Sequence, residues 1–315
     1  MDVLVTGGAG FLGSHLCEKL LSQGHRILCL DNLTTGSLDN VAHLQANENF
    51  TFLEGDICDA LDVSVDAIYN LACPASPIHY QGDPIQTLKV NTTGMFELLD
   101  LARHNQALIL QASTSEVYGD PQVHPQTEDY WGHVNPNGPR ACYDEGKRVA
   151  EILCLEYQRK FGISVKIPRI FNTYGPRMHP DDGRVVSNFI VQALQGLPLT
   201  IYGDGSQTRS FCYVDDMVDG LIRLMHSDVS GPLNLGNPEE YSVKDLAKRV
   251  LDMTGTQVQL DYQPLPIDDP QQRRPSIEAA RSKLGWAPST PLHHGLLKTV
   301  ALFRERLQVS AISPQ

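Results

Sequence analysis

Tyr143 and Lys147 stand four residues apart in the run Tyr143-Asp144-Glu145-Gly146-Lys147, the spacing that puts two side chains on one face of a helix. An ammonium beside a phenol lowers its pKa from about 10 towards neutrality and makes it a usable base. A second chemical signal lies near the start of the chain, where Thr6-Gly7-Gly8-Ala9-Gly10-Phe11-Leu12-Gly13 follows a strand-like run and opens a helical one. Residues without Cβ let backbone N–H groups approach a pyrophosphate at the positive end of a helix, and Gly13 lets that helix pack closely on a sheet. Asp31 ends the next strand-like run, 18 residues beyond Gly13. A carboxylate there accepts hydrogen bonds from an adenosine ribose and repels a 2′-phosphate, so the expected dinucleotide is NAD rather than NADP. Asp56-Ile57, at the end of the third strand-like run, would flank adenine.

Those residues need a scaffold, and the first two-thirds of the chain supplies an alternating one. Strand-like runs are Val3–Thr6, Arg26–Leu30, Phe50–Glu54, Ala67–Leu71, Leu108–Ala112 and Ser164–Ile170; amphipathic stretches between them are Phe11–Gln23, Ile85–Arg103 and Asp144–Phe161. Near-continuous apolar strands taking turns with helices predict an α/β protein: a Rossmann-type, doubly wound parallel sheet covered on both faces. After Pro176 the pattern loosens. Ser187–Gln195, Asp216–Ser227, Ser242–Thr254, Ile277–Leu284 and Leu292–Leu307 read as helices, Leu199–Tyr202 and Pro232–Leu235 as short strands, and Pro264–Pro275 as an extended loop. The expected organisation is a dinucleotide-binding domain over 1–176, a smaller C-terminal α/β substrate lobe over 177–308, and a frayed tail at Val309–Gln315.

Composition narrows the function. The chain has 315 residues, 41% of them hydrophobic, enough for a sizeable core. Acidic residues outnumber basic ones by 37 to 25, a net charge of −12 that argues against binding nucleic acid or an anionic membrane. Seven cysteines form no C-x-x-C pair and several lie in apolar runs, which fits buried thiols in a reducing compartment. No signal-like or membrane-spanning run is visible, so the expected location is the cytoplasm. No metal site is expected.

The G-x-x-G-x-x-G spacing and the Tyr143/Lys147 pair are typical of short-chain dehydrogenase/reductases. The runs Leu71–Pro77, Ser113–Pro121, Tyr130–Arg148, Arg169–Arg177 and Asp182–Phe189 resemble the UDP-glucuronate decarboxylase branch of that family's extended form, from the glycine loop to about residue 305. Asn137 and Ser276 depart from it, standing where the resemblance leads one to expect an apolar and an acidic residue. The resemblance implies NAD-dependent decarboxylation of UDP-glucuronate to UDP-xylose through a 4-keto intermediate, the NADH being recycled internally. It implies catalytic roles for Tyr143, Lys147, Thr114, Glu116 and Arg273. It places NAD against Gly7, Gly10, Phe11, Leu12, Gly13, Asp31, Asn32, Thr35, Asp56, Ile57, Leu71, Ala72, Lys89, Tyr143, Lys147, Thr173 and Arg184. The UDP-sugar falls to Asn172, Arg184, Asn188, Tyr202, Arg209 and Arg273, with Arg177 a further arginine on the substrate side. Bidentate guanidinium is the natural counter-ion for a diphosphate and a carboxylate. Related 4,6-dehydratases carry Thr-Asp-Glu where this chain has Thr114-Ser115-Glu116, so the acid that expels water is missing. A 4-epimerase, a 4,6-dehydratase and an idle NAD-binding scaffold are the alternatives. The same resemblance implies a homodimer through a four-helix bundle built from Ile85–Arg103 and Asp144–Phe161.

Overall fold

The computed structural model describes residues 1–312 apart from 267, 269 and 271, with side chains through residue 307. Its centre is a parallel sheet of β1 (Asp2–Thr6), β2 (Arg26–Asp31), β3 (Phe50–Glu54), β4 (Ala67–Asn70), β5 (Leu108–Gln111), β6 (Val165–Ile170) and β7 (Pro232–Leu235). They lie in the order β3-β2-β1-β4-β5-β6-β7, every neighbouring pair parallel. The order reverses between β1 and β4, the switch point at which ligands bind in open α/β sheets.

The alternation of side chains along β1 divides the core. Val3 and Val5 join one apolar cluster with Leu16, Cys17 and Leu20 of α1 (Phe11–Ser22). Leu4 joins another on the opposite face. That second face is covered by α2 (Pro84–Asn91), α3 (Thr93–Asn105) and α4 (Ala141–Phe161). Both faces are dry, which is why the strands read as continuous apolar runs. The single helix expected over Ile85–Arg103 is interrupted at Thr92, whose backbone leaves helical geometry at φ −119° and ψ −77°. Asn91 and Thr92 turn their side chains back onto the carbonyls of Thr87 and Leu88 at 2.8 and 2.7 Å, competition of the kind that bends helices.

The C-terminal part carries α5 (Val185–Leu194), α6 (Val214–Met225), α7 (Val243–Thr254), α8 (Glu278–Leu284) and α9 (Leu292–Ile312) with small sheets between them. Thr208–Ser210 lies between Glu240–Ser242 and Gln272–Arg273, so the expected loop Pro264–Pro275 contains a short strand. Strand β7 and helix α6, both beyond residue 176, pack on the N-terminal sheet, and the two lobes therefore share one core. The tail expected from Val309 is helical as far as Ile312, and 313–315 lie outside the described residues. No helix among the described residues is long and apolar enough to cross a membrane.

Candidate active site

The carboxyl ends of β1, β4 and β5 are tied by a buried polar ladder. Thr6 Oγ1 donates to Asn70 Oδ1 at 2.6 Å, and Asn70 Nδ2 donates to Gln111 Oε1 at 2.6 Å. Above this ladder opens a cleft of about 930 Å³. The glycine loop forms one end. Gly7 has φ +67°, and a Cβ on it would lie 2.7 Å from the Leu71 carbonyl group, so only glycine fits the crossing from β1 to α1. Helix α1 starts at Gly10 with no side chain capping it, which leaves first-turn N–H groups for an anion. Asp31 lines the same end; its carboxylate accepts from the backbone N–H of Ala9 and Leu33 at 3.0 and 2.8 Å. Burial raises its pKa, and those N–H groups oppose the rise. Asn32 Nδ2 and Gln86 Nε2 both donate to Asp56 Oδ2, at 2.9 and 3.2 Å, on the cleft wall. An uncapped helix start, a glycine-only cradle and an acidic ribose position fit a dinucleotide without a 2′-phosphate.

Tyr143 and Lys147 lie at the start of α4, both buried, on the cleft wall. Lys147 Nζ donates to the Ala112 carbonyl at 3.0 Å and sits 5.8 Å from the centre of the Tyr143 ring. Thr114 follows β5, and its hydroxyl accepts from Glu116 N at 3.2 Å. Burial pushes the Tyr143 phenol well above its ordinary pKa, Cys73 and Glu116 add to the rise, and the Thr114 side chain opposes it. In this state the phenol is neutral. The ring of Tyr80 lies flat against it, centroids 4.8 Å apart and planes within 4°.

Glu116 is the most strongly held carboxylate in the cleft. Arg273 grips it through both oxygens at 2.6 and 2.8 Å, and Arg140 Nη2 reaches Oε2 at 2.7 Å. Burial alone would raise this carboxyl, but Arg273 and then Arg140 outweigh it and hold the pKa at about 2. Asp144 behaves in the opposite way. It is buried behind the cleft wall with Oδ1 lacking a hydrogen-bond partner among the described residues, and burial together with Glu116 pushes it up to about 8. The cluster thus contains one permanent carboxylate and one carboxylic acid.

Arg209 and Arg273 are register partners on adjacent parallel strands, so the C-terminal lobe delivers two arginines side by side. The loop carrying Arg273 is anchored by backbone: Gln126 N donates to Arg274 O at 2.9 Å, and Ser276 N to Gln126 O at 2.7 Å. Ser276 therefore holds its place without the acidic side chain that the resemblance implies. Asn172, Thr173, Arg184, Asn188 and the half-exposed Tyr202 line the cleft, as do Phe11, Leu12, Gly13, Thr35, Ile57, Leu71 and Ala72. Arg177 also reaches the cleft, but its guanidinium pairs with Glu18 of α1. Lys89 is exposed on α2, opposite the buried Thr87, Val90 and Asn91, and is not among the residues that line the cleft, whereas Gln86 and Val90 are.

Sequence reasoning did not reach Arg140, Tyr80 or Asp144. Arg140 stands in the loop Asn137-Gly138-Pro139-Arg140, where nothing local announces that it will meet a carboxylate 24 positions earlier.

Comparison with known proteins agrees with this geometry. The family described as GDP-mannose 4,6 dehydratase matches residues 4–299. UDP-glucuronic acid decarboxylase 1 of Danio rerio is 54% identical over 309 residues, covering 98% of this chain and 74% of that protein. UDP-glucuronic acid decarboxylase 6 of Arabidopsis thaliana is 53% identical over 310 residues, covering 98% and 90%. Among solved structures, UDP-glucuronic acid 4-epimerase from Bacillus cereus, in complex with UDP-glucuronic acid and NAD, superposes with a TM-score of 0.88. Its sequence is 30% identical, with 97% and 100% of the two chains covered.

Proposed function

The chain belongs to the UDP-glucuronic acid decarboxylases of the extended short-chain dehydrogenase/reductases, and from that membership we propose how its residues convert UDP-glucuronate to UDP-xylose and CO2. The cofactor is NAD, which when bound supplies the reversible oxidation that makes C4 of the sugar a ketone.

With the positive charge that bound NAD would add to that of Lys147, Tyr143 is ionised and is the base that takes the O4 proton. Once C4 is a ketone, the sugar carboxylate is β to it, and the electrons released with CO2 settle on O4 until C5 takes up a proton. Thr114 and Tyr143 donate hydrogen bonds to that oxygen, each well-aimed donor stabilising it by about 3–4 kcal/mol. Glu116 and Arg273 hold the sugar ring so that the C5–carboxylate bond stands across the carbonyl plane. Asn172, Asn188 and Arg209 bind the diphosphate, Tyr202 brackets uracil, and Arg184 serves both ligands.

The named relatives carry the choice of reaction, and one observation of the site sets it apart from dehydration. Dehydration needs a protonated acid at the sugar; position 115 is serine, and the neighbouring Glu116 is kept ionised by two guanidinium groups. Loss of CO2 needs no such acid. Incubation with UDP-glucuronate and mass spectrometry tests the reading. A product lighter by carbon dioxide is expected; loss of water, or an isomer of unchanged mass, overturns it.

Residues 1–176 act mainly on the dinucleotide and 177–308 mainly on the UDP-sugar in this reading, with β7 and α6 crossing between them. A homodimer through α2, α3 and α4 is supported by the apolar side chains those helices expose, among them Ile85, Phe96 and Ile152. A reducing, cytoplasmic setting is supported by seven cysteines that form no disulfide.

A further inference from the structure

Tyr80 is buried, lies outside the cleft, and has no part in the chemistry above. It belongs to the short helix Pro77–Tyr80, which follows the cleft-lining run Leu71–Ala75. Its contacts reach the start of α4 and α2. Its ring covers Tyr143 at 4.8 Å with planes 4° apart. Its carbonyl accepts from Cys142 Sγ at 3.6 Å, so the residue before Tyr143 is held by the same group. That carbonyl also accepts from Thr87 Oγ1 at 3.2 Å, which ties it to α2. Residues Pro77, Ile78 and His79 of the same helix face the cleft.

We propose that Tyr80 is a positioning residue for the decarboxylation: a flat wall, anchored to α2, that fixes the plane of the Tyr143 ring against Lys147 and Thr114. The proposal rests on Tyr143 being the base. A phenol ring that swings out of its own plane carries its oxygen with it and loses the hydrogen-bond geometry proton transfer needs, and misplacement by an ångström costs up to about a hundredfold. The face of a buried aromatic residue restricts that swing, whereas a flexible apolar side chain of similar volume fills the space without supplying a plane. The Tyr80 hydroxyl is buried with no hydrogen-bond partner among the described residues, so the ring and the carbonyl do the holding. Burial keeps that phenol above its ordinary pKa, hence neutral beside Arg140 and Glu116.

The test compares Tyr80→Phe, Tyr80→Met and Tyr80→Leu at equal bound-NAD content, following kcat, KM and the pH profile of kcat on UDP-glucuronate. Tyr80→Met should lose about tenfold in kcat with KM nearly unchanged. The acid limb of its profile should move, because a loosened phenol leaves the buried setting between Cys73, Glu116 and Thr114 that fixes its pKa. Tyr80→Phe keeps the plane and should restore both. Tyr80→Leu repeats the test with a second filler in case the methionine variant does not fold. Wild-type kcat in the folded Met or Leu variant, an unmoved acid limb, or a Phe variant as slow as Met overturns the proposal. Failure of the functional reading looks different, since the unmodified protein would then release no CO2.

Discussion

Arg273 closes a bidentate ion pair on Glu116 across 157 positions of sequence, with Nη1–Oε1 at 2.6 Å and Nη2–Oε2 at 2.8 Å. It joins the C-terminal lobe to the loop after β5 on the wall of the cleft. Both side chains are buried, at 8% and 12% exposure, so removing one leaves the other poorly solvated. Arg273→Ala should lower the unfolding free energy by about 3 kcal/mol, read from urea unfolding. The same variant should lose about a hundredfold in turnover, measured as CO2 release.

Acid should weaken the protein through Glu116. Its folded pKa of about 2 lies below the ordinary value of about 4.3. Its contribution is therefore complete above about pH 5 and lost as pH falls towards 2. Urea midpoints of the unmodified protein should drop across that window, and Glu116→Gln should flatten the curve.

Asp144 works with the reverse sign. Its folded pKa is pushed up to about 8, so between about pH 4 and 8 the folded chain holds a proton that the unfolded chain has released. Stability from this group falls as pH rises through that range. Asp144→Asn removes the liability and should be more stable than the unmodified protein at pH 8, with the gap closing towards pH 4. Equal midpoints at both values would show that Asp144 is ionised throughout.

Tyr143→Phe keeps the ring stacked on Tyr80 and removes the proton-accepting oxygen. Bound NAD per chain should stay near that of the unmodified protein while turnover falls about a thousandfold. Retained activity would remove Tyr143 from the role of base.

The exposed apolar face of α2, α3 and α4 gives a fifth expectation. Ile152 is 57% exposed on α4, and Ile152→Asp should halve the mass seen by sedimentation if that face joins two copies. An unchanged mass would place the contact elsewhere.

The dinucleotide half was legible because its physics is local. Strands β1 to β6 are runs of apolar residues bounded by turns, and each falls within a residue or so of its expected limits. The glycine loop and the tyrosine–lysine spacing needed only near neighbours to be recognised. The C-terminal strands were harder to see, since Thr208–Ser210, Glu240–Ser242 and Gln272–Arg273 are too short to show a period. The break at Thr92 was not visible either, since Asn91 and Thr92 turn onto carbonyls within their own helix without a Pro or Gly to announce it. Arg140 and Tyr80 were missed because each meets its partner only after the chain has folded.

Strand β7 leaves the C-terminal half to complete the sheet of the N-terminal half, hydrogen-bonding β6 along Ile167–Ile170. A fragment cut at residue 176 would expose that flank of β6 as a bare ladder and strip α6 from its surface. The halves are therefore interlaced rather than strung together, and neither is a module that recombination could lift out intact. Heat should melt them in one cooperative transition, and protease should find no hinge between them to nick.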